Sequence, residues 1–199
     1  MAGELYGAGA RVLQDELATR RLADVLAKHT MHAALTDDDI ELIRAQSTVW
    51  LATVDADGWP DVSYKGGDTG FVEVVSPTEL RIPMYDGNGM MRTMGNVLDT
   101  GRVAVLFVDT ARPWRMRIHA TATVSTDPAD TDRHPGALAV VVVTPTRIFP
   151  NCGRYIHREG RISEYVPDEH GDAPLPEWKR YEIFRDVLPP RDQERLATE

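Results

Sequence analysis

Lys65 closes an alternating run, Pro60-Asp61-Val62-Ser63-Tyr64-Lys65, and stands directly before Gly66-Gly67. A lysine at a strand end beside a glycine turn can aim its ammonium at a phosphate while backbone amides complete the cradle. The ordinary alternative is a solvated strand-end lysine, which the presence of only three lysines in the chain weakens. A second segment runs from Pro83-Met84-Tyr85 through Asp86-Gly87-Asn88-Gly89 to Met90-Met91-Arg92. The glycines flanking Asn88 permit positive φ and close approach of a ligand to the backbone. The following helix start favours an anion, and Arg92 can turn back to clamp it bidentately. The ordinary alternative is a turn before an amphipathic helix, with Met90, Met91 and Met94 filling core.

A third segment holds Cys152, Arg154, Tyr155 and His157. Cationic neighbours lower a thiol's pKa and invite a nucleophile, whereas the plainer reading is a small buried thiol at a strand end. Arg154 and Tyr155 are candidates for a pocket wall beside Cys152. His29 and His32 have a spacing compatible with metal ligands, but no carboxylate motif surrounds them and a charged helix terminus is expected. Trp59 and Trp114 read as packing at a hairpin or dimer surface.

The elements that position these residues follow from periodicity. Val12, Leu13, Leu17, Leu22, Val25 and Leu26 predict one helix over 11–29. A second helix starts at Thr36, which caps it ahead of Asp37, Asp38 and Asp39, and ends near Gln46. Then come β-type runs at 48–54, 59–64, 70–75, 79–84, 103–109, 115–124 and 137–150, the first two forming a hairpin around Asp55-Ala56-Asp57-Gly58. A short helix is expected over 90–98. About six strands with hairpin-length connections predict an antiparallel barrel with flanking helices. Residues 177–188 predict one further short helix, and Pro189 onward is expected to fray.

Composition narrows the function classes. With 199 residues, 42% hydrophobic and 27% charged, the chain has the makeup of an ordinary globular domain. Lys+Arg 22 against Asp+Glu 31 gives a net charge of -9, which argues against nucleic acid as a partner. A single cysteine excludes an intrachain disulfide and a multi-thiolate zinc site. Neither a signal-peptide core nor a membrane-length apolar run is visible, so a cytoplasmic protein without membrane contact is expected.

Taken together, the blocks Ser63-Tyr64-Lys65-Gly66, Tyr85 with its glycine loop, Arg92 and Asn96 resemble the pyridoxamine 5'-phosphate oxidase-like flavoproteins. The strand 103–109 and the basic strand Arg115-Met116-Arg117-Ile118-His119-Ala120 continue the resemblance. It implies a six-stranded antiparallel split β-barrel that forms a homodimer and binds FMN at the subunit interface. It also implies hydride transfer through flavin N5 to or from a small-molecule substrate. By this resemblance Ser63, Tyr64, Lys65 and Gly66 lie along the ring and ribityl chain, and Pro83, Met84 and Tyr85 pass near the ring. Asn88, Gly89 and Arg92 surround the phosphate, while Arg115 and Arg117 reach the flavin of the partner subunit.

The expected organisation is a helical extension over 1–35, the barrel domain over 36–158 and a C-terminal arm over 159–199. Where the family's phosphate loop often carries Ser-Arg-Lys, this chain reads Gly87-Asn88-Gly89. The C-terminal Arg-Leu-His-Pro type signature is absent, which argues against the vitamin B6 reaction itself. Alternatives on the same fold are an F420-dependent reductase, for which Arg112, Arg115 and Arg117 leave room, and a non-catalytic flavin- or haem-binding protein. For haem, the candidate axial ligands are His119 and His157. A split-barrel domain with an empty pocket, acting as an interaction module, is the remaining class.

Overall fold

The apolar stripe over 11–29 makes two helices, α1 (Ala8–Glu16) and α2 (Arg20–Thr30), rather than the one expected. Ala18 takes a left-handed φ of 54°, and the Thr19 amide donates back to the Gln14 carbonyl, which closes α1. Arg20 pairs with Asp15 beside the turn, and Arg11 meets Asp24 at 2.6 Å across the helix pair. Leucine spacing runs through this break undisturbed, so periodicity alone could not show it. The computed structural model describes residues 5–198, which divide into two compact units. One is His32–Asn151; the other comprises the residues before and after that span.

In the His32–Asn151 unit, α3 (Asp37–Arg44) begins at Thr36 as predicted, with a capping box. The Asp39 amide donates to Thr36 Oγ1, and Asp39 Oδ2 accepts from the Thr36 amide at 2.9 Å and from His32 Nε2 at 2.7 Å. His32 is therefore committed to a buried aspartate, and no metal-holding cluster occurs among the described residues.

Seven strands follow: β1 (Thr48–Val54), β2 (Pro60–Gly66), β3 (Glu73–Ser76), β4 (Glu79–Tyr85), β5 (Arg102–Asp109), β6 (Trp114–Ser125) and β7 (Ala137–Asn151). They form one antiparallel sheet in the order β2-β1-β5-β6-β7-β4-β3. Each of the seven expected runs yields a strand; the run at 70–75 gives the shortest, a four-residue β3 that pairs with β4 at one edge. The sheet is not closed, leaving β2 and β3 as its two ends, as in a split barrel. Its inner face is the core: Val49, Leu51, Leu80, Ile82, Val105, Phe107, Met116, Ile118, Val143 and Ile148 are almost wholly buried. Truncating Phe107 to alanine there should cost about 3–5 kcal/mol.

Between β4 and β5 lies α4 (Arg92–Thr100), starting two residues later than expected. Asn96 of α4 donates to Thr53 Oγ1 of β1 at 2.9 Å, with both side chains buried. The turn α5 (Pro128–Thr131) joins β6 to β7.

In the other unit the expected single helix over 177–188 is broken at Tyr181 into a 3-10 turn, Glu177–Arg180, and α6 (Glu182–Arg185). The residues expected to fray form α7 (Pro190–Thr198). That helix is held by a buried Lys179–Asp192 ion pair and by Leu196 packing on the cluster of Leu22, Phe184 and Leu188. A charged stretch thus stays helical because one of its acids has a buried partner. No helix among the described residues is long and apolar enough to cross a membrane.

Candidate functional site

The register of the first hairpin decides what β2 offers. Val49, Leu51 and Thr53 alternate on the buried face of β1, and their cross-strand partners are Lys65, Ser63 and Asp61. Cross-strand partners share a sheet face, so Asp61, Ser63 and Lys65 lie on the core side of β2. Val62 and Tyr64 lie on the other, exposed side. Gly67 fixes the exit from this strand, because a Cβ there would fall 2.7 Å from the Phe71 side chain.

Near the two ends of the sheet a cavity of about 570 Å³ is lined by β2 from Asp61 to Gly66, the end of β4, the loop 86–91 and the first turn of α4. That volume lies within the range of small-molecule and cofactor sites. Ten of the twelve residues expected to hold the cofactor line it: Ser63, Tyr64, Lys65, Gly66, Pro83, Met84, Tyr85, Asn88, Gly89 and Arg92. The remaining two, Arg115 and Arg117 on β6, do not. Arg117 lies over the Phe149 ring, and the buried Nε of Arg115 has no hydrogen-bond partner among the described residues. The cross-strand partner of Arg115 is Asn151, whose Oδ1 is also buried without a partner.

The loop differs from its sequence reading in three ways. Met90 and Met91 are exposed rather than core-filling, and only Met94 packs against the core. Met91, immediately before α4, has a left-handed φ of 51°, a strained conformation for a residue with a side chain. Arg92 is the first residue of α4 rather than a turn into it, and its guanidinium stands between two carboxylates. Nη2 is 3.9 Å from Asp55 Oδ2 and Nε is 3.8 Å from Asp61 Oδ1. Asp61 is a lining residue that sequence reasoning passed over. Its signal was the period-two relation to Ser63 and Lys65.

Hydrogen bonding in the loop leaves a definite donor set. The Gly87 amide is taken by Asp86 Oδ1 and the Met90 amide by Asn88 Oδ1. The amides of Asn88 and Gly89 have no protein acceptor among the described residues. Gly89 has a φ of +74°, and a Cβ at Gly87 or Gly89 would meet nothing within 4 Å, so the loop backbone is uncovered. Burial pushes the Lys65 ammonium below its ordinary value, and the Asp61 carboxylate opposes that shift. A flat ligand with a polar chain and a phosphate fits these groups: a strand face with a hydroxyl and an ammonium, an open amide loop, and a guanidinium that makes no protein hydrogen bond among the described residues.

Cys152, Arg154 and Tyr155 belong to the other unit. Arg154 Nε is 3.2 Å from Cys152 Sγ, and the Arg154 guanidinium lies over the Tyr155 ring. Burial would push the Cys152 thiol up, but the Arg154 backbone and side-chain N–H groups outweigh it and hold the thiol below its usual value. His157 Nδ1 accepts the Ser163 amide. His119, in the barrel, is held below its usual value by burial and by Arg117 and Arg147, and packs edge-on to Phe149.

The chain is similar over 58% of its length to HupZ of Group A Streptococcus, at 25% identity, 93% coverage of that chain and a TM-score of 0.49. It is similar over 59% to a protein of Lactobacillus delbrueckii, at 27% identity, 95% coverage and a TM-score of 0.49. Over 72% it is similar to an FMN-binding protein of Syntrophomonas wolfei, at 14% identity, 95% coverage and a TM-score of 0.44. No curated protein matches the sequence. The family model of pyridoxamine 5'-phosphate oxidase matches residues 35–152, more than half of the chain and all seven strands of the sheet. On that match, the chain is a member of the pyridoxamine 5'-phosphate oxidase family.

Proposed function

We propose that this protein is an FMN-binding oxidoreductase acting on a small molecule, with the cofactor in the cavity between β2 and the loop 86–91. The observation that carries the reading is the convergence of Ser63, Lys65, the free loop amides and Arg92 on one cavity of cofactor size. Asn88, Gly89 and Arg92 would hold the phosphate, and charge-assisted bonds from a guanidinium are the strong kind. Ser63 and Lys65 would face the ribityl chain and ring, with Pro83, Met84 and Tyr85 as the apolar wall. The bound flavin supplies hydride transfer through its N5. Lys65 contributes a cation whose protonated state Asp61 supports.

A homodimer is part of this proposal. Val62 and Tyr64 on edge strand β2, with Trp59 before it, are 67%, 58% and 72% exposed. The charges of β2, Asp61 and Lys65, lie on its other face, so this exposed apolar face is a surface that a partner would cover. Arg115, with its unpaired Nε, is the residue proposed to reach the partner's flavin.

Titration with FMN tests the assignment. Arg92→Ala should weaken binding by about 2–4 kcal/mol, roughly 30- to 1000-fold, and Lys65→Ala by less, in a protein that keeps its fold. Unchanged FMN affinity in both folded variants would remove the site assignment.

A further inference from the structure

We propose that Asp61 is a specificity-determining residue of this cavity, limiting how much affinity a ligand gains from a doubly charged phosphate. The proposal rests on the flavin reading above. It starts from the charges that line the cavity, Lys65 and Arg92 against Asp61 and Asp86, a formal sum of zero, with Asp55 facing Arg92 at 3.9 Å from outside the lining. The two acids are not equivalent. Asp86 is exposed and spends an oxygen on the Gly87 amide. Asp61 is half-buried on the core side of β2, where a charge is less screened.

The backbone fixes Asp61 where it acts. Its cross-strand partner is Thr53, and Thr53 is the residue to which Asn96 anchors α4. Arg92 lies one helical turn before Asn96 on the same helix, so the anchor presents its guanidinium to the Asp61 carboxylate at 3.8 Å. At this distance the carboxylate offsets the cation without taking a hydrogen bond from it. Arg92 keeps its donors for a phosphate, while part of its electrostatic attraction is cancelled in advance. Asp61 also supports the charge on Lys65, so its two effects on a ligand differ by location: weaker hold at the phosphate, unchanged or stronger hold beside Lys65. The cavity therefore selects a ligand chiefly through its ring and polar chain, and the affinity gap between phosphorylated and unphosphorylated forms is compressed.

FMN and riboflavin, titrated by fluorescence quenching against wild type, Asp61→Asn and Asp61→Glu, test this. Asp61→Asn should tighten FMN about tenfold and leave riboflavin within about twofold, while Asp61→Glu keeps a ratio near the wild type. Wild type gives an independent reading: its FMN affinity should fall less than about threefold from low salt to roughly 0.5 M, because the cavity is charge-balanced. FMN binding with an unchanged FMN-to-riboflavin ratio in Asp61→Asn, equal tightening of both ligands, or a steep salt dependence in wild type overturns the role of Asp61 alone. No flavin binding by any of the three proteins overturns the flavin reading and the inference with it.

Discussion

Asn96 Nδ2 donates a 2.9 Å hydrogen bond to Thr53 Oγ1, and Thr53 stands directly across the β1–β2 pair from Asp61. One buried contact thus sets α4, and with it Arg92, against the strand that carries Asp61, Ser63 and Lys65. Removing one partner strands the other in a dry environment. Asn96→Ala should cost about 1–3 kcal/mol in denaturant unfolding. It should also loosen FMN in the folded protein, although Asn96 does not line the cavity. A double-mutant cycle with Thr53→Ala checks it; additive losses would show that the two side chains are not coupled.

Lys65 makes a prediction with a definite sign. Its folded pKa lies below the unfolded value because of burial, so the folded protein binds its proton less readily. The resulting cost to stability is fully present below the folded pKa and disappears as pH rises through it toward 10.5. Wild type should therefore gain stability relative to Lys65→Met as pH climbs through that window. Chemical unfolding at a series of pH values reads the difference, and a fall in wild-type stability relative to Lys65→Met over that window would contradict the burial of this ammonium.

Most of the barrel was legible because its signals are local. Thr36 announced α3 through its cap, and Asp55-Ala56-Asp57-Gly58 announced the hairpin through turn chemistry. The cavity was legible for a related reason: period two places Ser63 and Lys65 on one strand face, and glycines mark an uncovered loop. What stayed hidden depends on contacts distant in sequence. Arg92 meets Asp55 and Asp61 only once Asn96 docks on Thr53. Residues 190–198 are charged and look prone to fraying until Asp192 finds Lys179 in a buried pair. The break at Ala18 left no trace in the leucine spacing, since α1 and α2 share it.

Cys152 offers a chemical readout in the other unit. Arg154 holds its thiol below the usual value despite half-burial. Replacing Arg154 with methionine should shift the pH profile of alkylation by iodoacetamide upward and slow the reaction several-fold at neutral pH. An unchanged profile would mean that Arg154 does not act on the sulfur.

The buried Asp39 joins Thr36 and His32 into one cap, while His32 exchanges two backbone hydrogen bonds with Ile148 of β7. Asp39→Ala removes the acceptor of three donors. It should cost at least the ~1–2 kcal/mol of a lost helix cap, read as a lower denaturant midpoint with an unchanged slope. A loss under about 0.5 kcal/mol would show that the cap does not secure α3.

Whether the cavity holds FMN is read from the absorbance spectrum of the freshly purified protein, followed by mass spectrometry of the heat-released ligand. The expected result is a two-banded flavin spectrum with FMN released at about one per chain. A protein that is colourless, stays so with added FMN, and gains colour only with F420 or haem would contradict it.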